Sequence, residues 1–157
     1  MTQEWRLGEY IITTDKRLLD LSVIHGFLTT SYWAEGIPFE TVKKSIEHSL
    51  NFGVYKDGKQ VGFARIITDY ATYAYIGDVF IVKEYRGQGL SKWLMQVIAD
   101  HPELQGLRRW TLLTRDSFSP CNALDLWNLK IQSVTWRKRI LIYTKEGRDK
   151  ACIFHYT

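Results

Sequence analysis

Residues 76–94, IGDVFIVKEYRGQGLSKWL, place an apolar strand directly before a glycine-containing turn and a helix. Apolar residues dominate the run from Ile76 to Val82, which is typical of a central strand covered on both faces. After the turn, apolar residues recur at the spacing of one helix face, at Leu90, Trp93, Leu94, Val97 and Ile98. The sequence therefore predicts a buried strand that feeds the N-terminus of an amphipathic helix.

The turn itself has the features of an anion site. A helix N-terminus presents unpaired N–H groups and the positive end of the helix dipole, which together favour a pyrophosphate. Gly87 and Gly89 let the backbone approach phosphate oxygens, and Arg86 adds positive charge at the entrance. The Gly-Lys-Ser/Thr ending of a P-loop is missing, which disfavours Mg-nucleotide hydrolysis. A tight turn that binds no ligand is the alternative interpretation.

The rest of the pattern predicts a mixed α/β sheet. The predicted elements are, in order, a strand over 4–13, a helix capped by Asp15, a helix beginning at Pro38, a hairpin turning at Asp57-Gly58, a strand over 72–82 and, after the glycine turn and its helix, a strand over 107–114. An Asp-Gly turn joins antiparallel strands, whereas a strand–helix–strand crossover joins parallel ones.

Residues 79–94 resemble the acetyl-CoA-binding segment of the GNAT superfamily of N-acetyltransferases. The family's pattern is Arg or Gln, two variable residues, Gly, one variable residue, then Gly or Ala. It maps onto Arg86, Gly89 and Ser91, of which Ser91 departs from the pattern but is small. The element order also matches, and the resemblance covers residues 4–116. It implies a GNAT fold, with a mixed, mostly antiparallel sheet flanked by helices, in a single domain over residues 1–157.

The resemblance implies acetyl-CoA as the cofactor and a slot opened where the sheet splays after the central strand. The backbone of Val79 and Ile81 would pair with the pantetheine arm, and the amides of residues 87–92 would hold the pyrophosphate. The cofactor-binding residues implied in this way are Val79, Phe80, Ile81, Arg86, Gly87, Gln88, Gly89, Leu90, Ser91 and Lys92.

The implied reaction is direct attack of a primary amine on the thioester in a ternary complex, with a strand N–H stabilising the developing oxyanion. Because an alkylammonium is only about one part in a thousand free base at neutral pH, a base or a desolvating pocket helps. Asp78 is the candidate base, acting through a water; the alternative is a buried carboxylate satisfied by neighbouring amides. Tyr75, on the opposite face if pairing is regular, either lines the amine pocket or packs. Tyr32 and Trp33 either face the acceptor mouth or pack in the core.

Composition sets the class of protein. A chain of 157 residues with 45% hydrophobic and 24% charged side chains is the size and make-up of one globular domain. No apolar run approaches the roughly 20 residues of a membrane span, and the N-terminus has no secretory pattern, so we expect a cytoplasmic enzyme. Cys121 and Cys152 have no metal-ligand spacing, and no metal site is predicted.

The net charge of +4 lies in one part of the chain. Residues 118–157 hold seven basic and three acidic side chains, while the rest of the chain holds fourteen of each. A nucleic-acid partner would depend on this basic tail with Trp127 and Trp136, and is disfavoured. The expected partner is a small-molecule or peptide amine, and a poorly covered sheet edge near the tail would favour a homodimer.

The tail departs from the family. In the family, the strand that corresponds to residues 107–114 is followed by a helix with a Leu-Tyr-x-x-Phe-Gly-Phe-like run, whose tyrosine commonly protonates the leaving thiolate. No such run follows Thr114 in this chain. We back-translated this segment and read it in the frame that joins the third base of each codon to the first two bases of the next. In that frame, residues 123–128 permit Phe-Gly-Phe-Val-Glu, and residues 132–138 permit Glu-Arg-His-Met-Glu-Lys. The first peptide resembles the family's turn after that helix, and the second resembles its closing strand. We therefore predict a shifted reading frame over about 117–141, restored near Ile142, with a divergent tail as the alternative that sequencing the coding DNA tests. The missing tyrosine makes an acyl-CoA-binding protein with little or no turnover the alternative function.

Overall fold

Residues 2–114 and 139–144 are described by the computed structural model, and within them seven strands form one sheet. The strands are β1 (Glu4–Leu7), β2 (Tyr10–Thr13), β3 (Leu50–Lys56), β4 (Lys59–Thr68), β5 (Tyr73–Ile81), β6 (Arg109–Thr114) and β7 (Arg139–Thr144). The helices are α1 (Leu21–Leu28), α2 (Phe39–Glu47) and α3 (Leu90–Asp100). Cys121, Cys152, Trp127, Trp136 and most of segment 117–141 lie outside the described residues.

The strands lie in the sheet in chain order. Pairing is antiparallel from β1 to β5, and β6 is parallel to both β5 and β7. The predicted mixed, mostly antiparallel α/β sheet is therefore confirmed, as is the hairpin at Asp57-Gly58, where Lys56 pairs with Lys59. No helix in the described part of the chain has both the length and the apolar character to span a bilayer.

The N-terminal prediction needs correction in two places. The expected strand over 4–13 is two short strands, because Gly8, at φ +57°, turns the chain back on itself. Asp15 caps a short 3₁₀ turn instead of the first helix, and its carboxylate accepts the N–H of Arg17. Asp20 caps α1 by accepting the N–H groups of the helix's first turn.

Two hydrophobic clusters cover the two faces of the sheet. The cluster on the α3 face includes Ala74 and Ile76 of β5, together with Leu94 of the helix. The cluster on the α1/α2 face includes Phe80 of β5, packed with Phe63 of β4. β5 therefore contributes buried side chains to both clusters, which confirms the prediction of a central strand covered on both faces.

Asp69 fixes the turn from which β5 starts. Its carboxylate accepts hydrogen bonds from the hydroxyl and N–H of Thr72 and from the N–H groups of Ala71 and Tyr73. These bonds, the Thr72 hydroxyl first, hold the pKa of the Asp69 carboxyl well below its usual value. The start of β5 is thus set by a carboxylate that stays ionised.

His101 is a fully buried titratable group at the end of α3. Its ring contacts Phe52 and Trp5, with ring centroids 5.5 and 5.9 Å away, and its Nδ1 accepts the N–H of Glu103 at 3.3 Å. Nε2 has no hydrogen-bond partner among the described residues. Burial lowers the pKa of His101, while the charge of Glu103 opposes the shift.

We expect the free energy of unfolding to fall as the pH drops below about 6.5, because the unfolded chain then takes up a proton that buried His101 excludes. His101→Asn keeps an acceptor for Glu103 but cannot titrate, and its loss of ring packing lowers stability by about 1–3 kcal/mol at every pH. Urea denaturation of the two proteins between pH 8 and 5.5 measures the pH dependence of the unfolding free energy and the constant loss of stability in His101→Asn. If the unfolding free energies of the two proteins fell in parallel with pH, buried His101 would not be the cause of the loss of stability at low pH.

Candidate functional site

β5 separates from β6 halfway along its length. The two strands pair from Tyr73 opposite Arg109 to Ile76 opposite Leu112, and β5 then continues to Ile81 with β4 as its only partner strand among the described residues. Within the described residues, the segment Gly77–Ile81 has no strand on that side. Its edge offers backbone N–H and C=O groups to an extended ligand, which is the opening the sequence led us to expect.

The separation coincides with a β-bulge. Phe63 pairs with Phe80 and Arg65 pairs with Gly77, so one residue of β4 lies opposite two residues of β5, Asp78 and Val79. Asp78 adopts φ +53°, in the left-handed region. A bulge inserts one residue, bends its strand and re-aims the side chains that follow it.

This irregular pairing changes the expected relation between Tyr75 and Asp78, which were placed on opposite faces only on the condition of regular pairing. Regular alternation would put Tyr75 and Asp78 on opposite faces of the sheet. In the structure the Tyr75 ring lies over Gly77, where a Cβ atom would come within 2.8 Å of it. Asp78 reaches Arg65, which pairs with that same Gly77. Tyr75, Asp78 and Arg65 therefore all lie on the α1/α2 face.

Asp78 is held by an ion pair that the sequence analysis missed. Arg65 Nε donates to Asp78 Oδ2 at 2.6 Å, and the side chains are only 16% and 14% exposed. Arg65 Nη1 also donates to Ser49 Oγ at 3.3 Å. The carboxylate is satisfied by a guanidinium rather than by the amides that the alternative interpretation invoked. The available signal was a lone positive charge within the apolar run 61–67.

Tyr75 is a half-buried phenol beside this ion pair. Burial raises the pKa of its hydroxyl, the negative charge of Asp78 adds to the shift, and Arg65 opposes it. Tyr75 therefore keeps its proton at neutral pH and can act as a hydrogen-bond donor next to the carboxylate.

A row of aromatic rings connects β5 to the surface. Phe80 stacks on Phe27 with ring centroids 3.9 Å apart, and Phe27 lies 6.2 Å from Trp33. Trp33 meets Tyr32 edge-on at 5.0 Å, and these last two side chains are 43% and 42% exposed. The structure thus connects Tyr32 and Trp33 to the central strand through the ring of Phe27. The buried ring of Phe80 leaves only its backbone for a ligand.

The glycine turn leads into a helix whose N-terminus has no side-chain cap among the described residues. Gly87 and Gly89 adopt φ +76° and +77°, and Gly89 occupies the N-cap position of α3 without a side-chain cap. The first turn of α3 has no acidic residue, whereas Asp20 caps α1 and Glu40 lies in the first turn of α2. The positive end of α3 is therefore left without negative charge from its own first turn.

The predicted pyrophosphate residues differ in how they can take part. The side chain of Leu90 is buried, so only its backbone could contact a ligand, while Ser91 and Lys92 are exposed. Arg86 Nε donates to the carbonyl of Ile81 at 2.9 Å, which fixes the guanidinium between the end of β5 and the turn. Gln88 bonds to Tyr10, a partner that the sequence did not suggest.

Comparison with known proteins agrees with this architecture. Residues 20–123 match the model of the acetyltransferase (GNAT) family. The chain belongs to that family. A curated Gibberella zeae protein, described as a candidate acetyltransferase, is 32% identical over 137 residues, covering 73% of this chain and 76% of that protein.

Solved GNAT structures show the same fold. A candidate GNAT acetyltransferase from Xanthomonas campestris pv. campestris is 44% identical, with a TM-score of 0.72, over 80% of this chain and 87% of that one. The ribosomal-protein-S18-alanine N-acetyltransferase of Escherichia coli is 22% identical, with a TM-score of 0.56, over 82% and 75% of the two chains. At that identity the second likeness concerns the fold alone.

Gly89→Ala, with a matched control, tests whether the backbone N–H groups of residues 87–92, which we call the anion cup, bind a diphosphate. Gly106 has the same φ of +77° and, like Gly89, no atom within 4 Å of an added Cβ. Alanine at either position costs about 1–2 kcal/mol of backbone strain. We expect only Gly89→Ala to weaken coenzyme A binding, by about tenfold, because Gly89 occupies the N-cap of α3 whereas Gly106 lies beyond the end of that helix.

Isothermal calorimetry with coenzyme A, alongside thermal denaturation of the glycine variants, separates the two effects. Equal coenzyme A affinities in Gly89→Ala and Gly106→Ala would remove the turn from the binding site.

Proposed function

We propose that the protein transfers an acetyl group from acetyl-CoA to a primary amine by direct attack in a ternary complex. The observation that carries the proposal is the edge of β5, Gly77–Ile81, which has no partner strand on one side among the described residues and is followed, after residues 82–89, by the N-terminus of α3, which has no side-chain cap among those residues. This arrangement is a backbone groove that ends in an anion cup. Acetyl-CoA, when bound, supplies a thioester carbonyl for the amine to attack.

The cofactor half of the site uses mainly backbone groups. The N–H and C=O groups of Val79 and Ile81 would pair with the amide-containing pantetheine arm as an added strand does. The N–H groups of residues 87–92 would bind the diphosphate, and Arg86 and Lys92 add positive charge nearby. Residues with buried side chains, such as Leu90, can serve in this way because only their backbone is needed.

The acceptor half uses side chains. An alkylammonium would approach along Tyr32 and Trp33, whose ring faces attract cations. Asp78 would take a proton from it through a water, with Arg65 fixing the carboxylate, and Tyr75 would donate a hydrogen bond in the amine pocket. An N–H on the open edge of β5 would stabilise charge that develops on the carbonyl oxygen.

The remaining parts of the proposal concern the acceptor and its setting. The acceptor is a small-molecule or peptide amine, met in the cytoplasm. The Escherichia coli neighbour is named for acetylating an alanine of a ribosomal protein, so peptide N-termini belong in any acceptor screen. A homodimer would form through a poorly covered sheet edge near the tail.

One observation favours the alternative, an acyl-CoA-binding protein with little or no turnover. The contact between Arg65 and Asp78 occupies one of the carboxylate oxygens that a general base would use. Such a protein would keep the backbone groove and the anion cup, because neither depends on this ion pair.

Calorimetry with acetyl-CoA and an assay of thiol release across alkylamines, polyamines, amino acids and peptides distinguish the two functions. We expect saturable binding, and thiol release that depends on one amine class and matches the acetylated amine counted by mass spectrometry. Binding without amine-dependent release would support the alternative. The absence of saturable binding would refute both.

Asp78→Asn tests the base. Asparagine tolerates the left-handed backbone at this position, so the bulge should persist. We expect kcat/KM to fall about tenfold to a hundredfold at pH 7, with the defect shrinking toward pH 10 as more of the amine is already unprotonated.

Asp57→Asn is the matched control, since Asp57 also has a left-handed backbone, at φ +50°, but lies in the hairpin turn between β3 and β4. It should behave as the unmodified protein. A defect in Asp78→Asn that stays constant from pH 7 to 10 would leave Asp78 a structural role only.

A further inference from the structure

The glycine turn is hydrogen-bonded to a tyrosine near the N-terminus of the chain. The hydroxyl of Tyr10, the first residue of β2, donates to Gln88 Oε1 at 2.6 Å across 78 positions of sequence. Gln88 lies between the two glycines with left-handed backbone, Gly87 and Gly89. Its side chain therefore ties the most flexible part of the turn to the sheet.

Tyr10 is itself held in place on several sides. Its ring packs against the cluster on the α3 face and meets the ring of Tyr85 edge-on, with centroids 6.5 Å apart. The ammonium of Lys56 lies 5.4 Å from the centre of the Tyr10 ring, and that same ammonium pairs with Glu9 at 3.0 Å. The anchor for Gln88 is thus a side chain with little freedom of its own.

We propose that Tyr10 is a positioning residue for diphosphate recognition, an inference that rests on the proposed function. Glycine loses more conformational freedom on ordering than other residues, so a turn with two glycines would bear an entropic cost whenever it closed around a ligand. The hydrogen bond from Tyr10 to Gln88 reduces the entropy that the turn loses on binding, because it already fixes the residue between the two glycines in the free protein.

Tyr10→Phe removes one hydroxyl and leaves the ring. Calorimetry with coenzyme A should show a dissociation constant raised about three- to tenfold, the effect of one ordinary hydrogen bond. Gln88→Met, which has a similar length but no amide, should have the same effect. The double variant should be no worse than either single one, because both changes remove the same bond. Tyr70→Phe, at an exposed tyrosine of the turn between β4 and β5, is the control and should bind normally.

A truncated donor separates positioning from general destabilisation. S-acetylpantetheine lacks the diphosphate, so Tyr10→Phe should leave kcat/KM for this donor unchanged, while the melting temperature falls by no more than a few degrees, the effect of one hydrogen bond. A Tyr10→Phe variant that binds coenzyme A normally, that weakens both donors equally, or whose effect adds to that of Gln88→Met would overturn the inference. Failure of the unmodified protein to bind coenzyme A would instead refute the proposed function, and the inference with it.

Discussion

The extra residue in β5 is the constraint on which the rest of the site depends. The bulge at Asp78 and Val79 follows two residues after the last pair that joins β5 to β6, Ile76 with Leu112. A bulge increases local twist and bends its strand, which accounts for the separation of two strands that begin in regular parallel register. The edge of β5 that has no partner strand among the described residues and the position of the carboxylate both originate at this point.

The bulge has an energetic cost that neighbouring contacts offset. A residue other than glycine in the left-handed region costs about 1–2 kcal/mol. The Arg65–Asp78 pair is largely shielded from water, and a hydrogen bond to a charged group contributes about 1.5–3 kcal/mol. Beyond the bulge, Phe80 regains its register with Phe63 and stacks on Phe27, and an aromatic pair adds about 0.5–1.5 kcal/mol. The distorted backbone is retained because the contacts on its two sides contribute a stabilising free energy similar in size to the cost of the left-handed residue.

Local patterns were sufficient to predict most of the fold. The apolar end of β5, the stripe of α3 and the Asp57-Gly58 turn each depend on a few adjacent residues, and all three are present. The split of the first strand at Gly8 was missed because aromatic and apolar residues continue across the turn. Tyr75 and Asp78 share a face, although regular alternation would separate them, because the extra residue of β5 at Asp78 and Val79 interrupts the alternation after Gly77.

The same reasoning explains why the two halves of the site differ in how far sequence can reveal them. Recognition of the cofactor would depend on backbone groups of one continuous stretch, residues 77–92, and the glycines that expose those groups are visible in sequence. The proposed acceptor side would depend on side chains that come together only in the folded chain, since Arg65 comes from β4 and Trp33 from the connection between α1 and α2. Tyr10 shows that the division is incomplete, because even the backbone cup has a side-chain support from 78 positions away. In the proposed function, a donor site built from main-chain groups would therefore be readable from its glycines, whereas specificity for an amine would depend on contacts that only the tertiary structure creates.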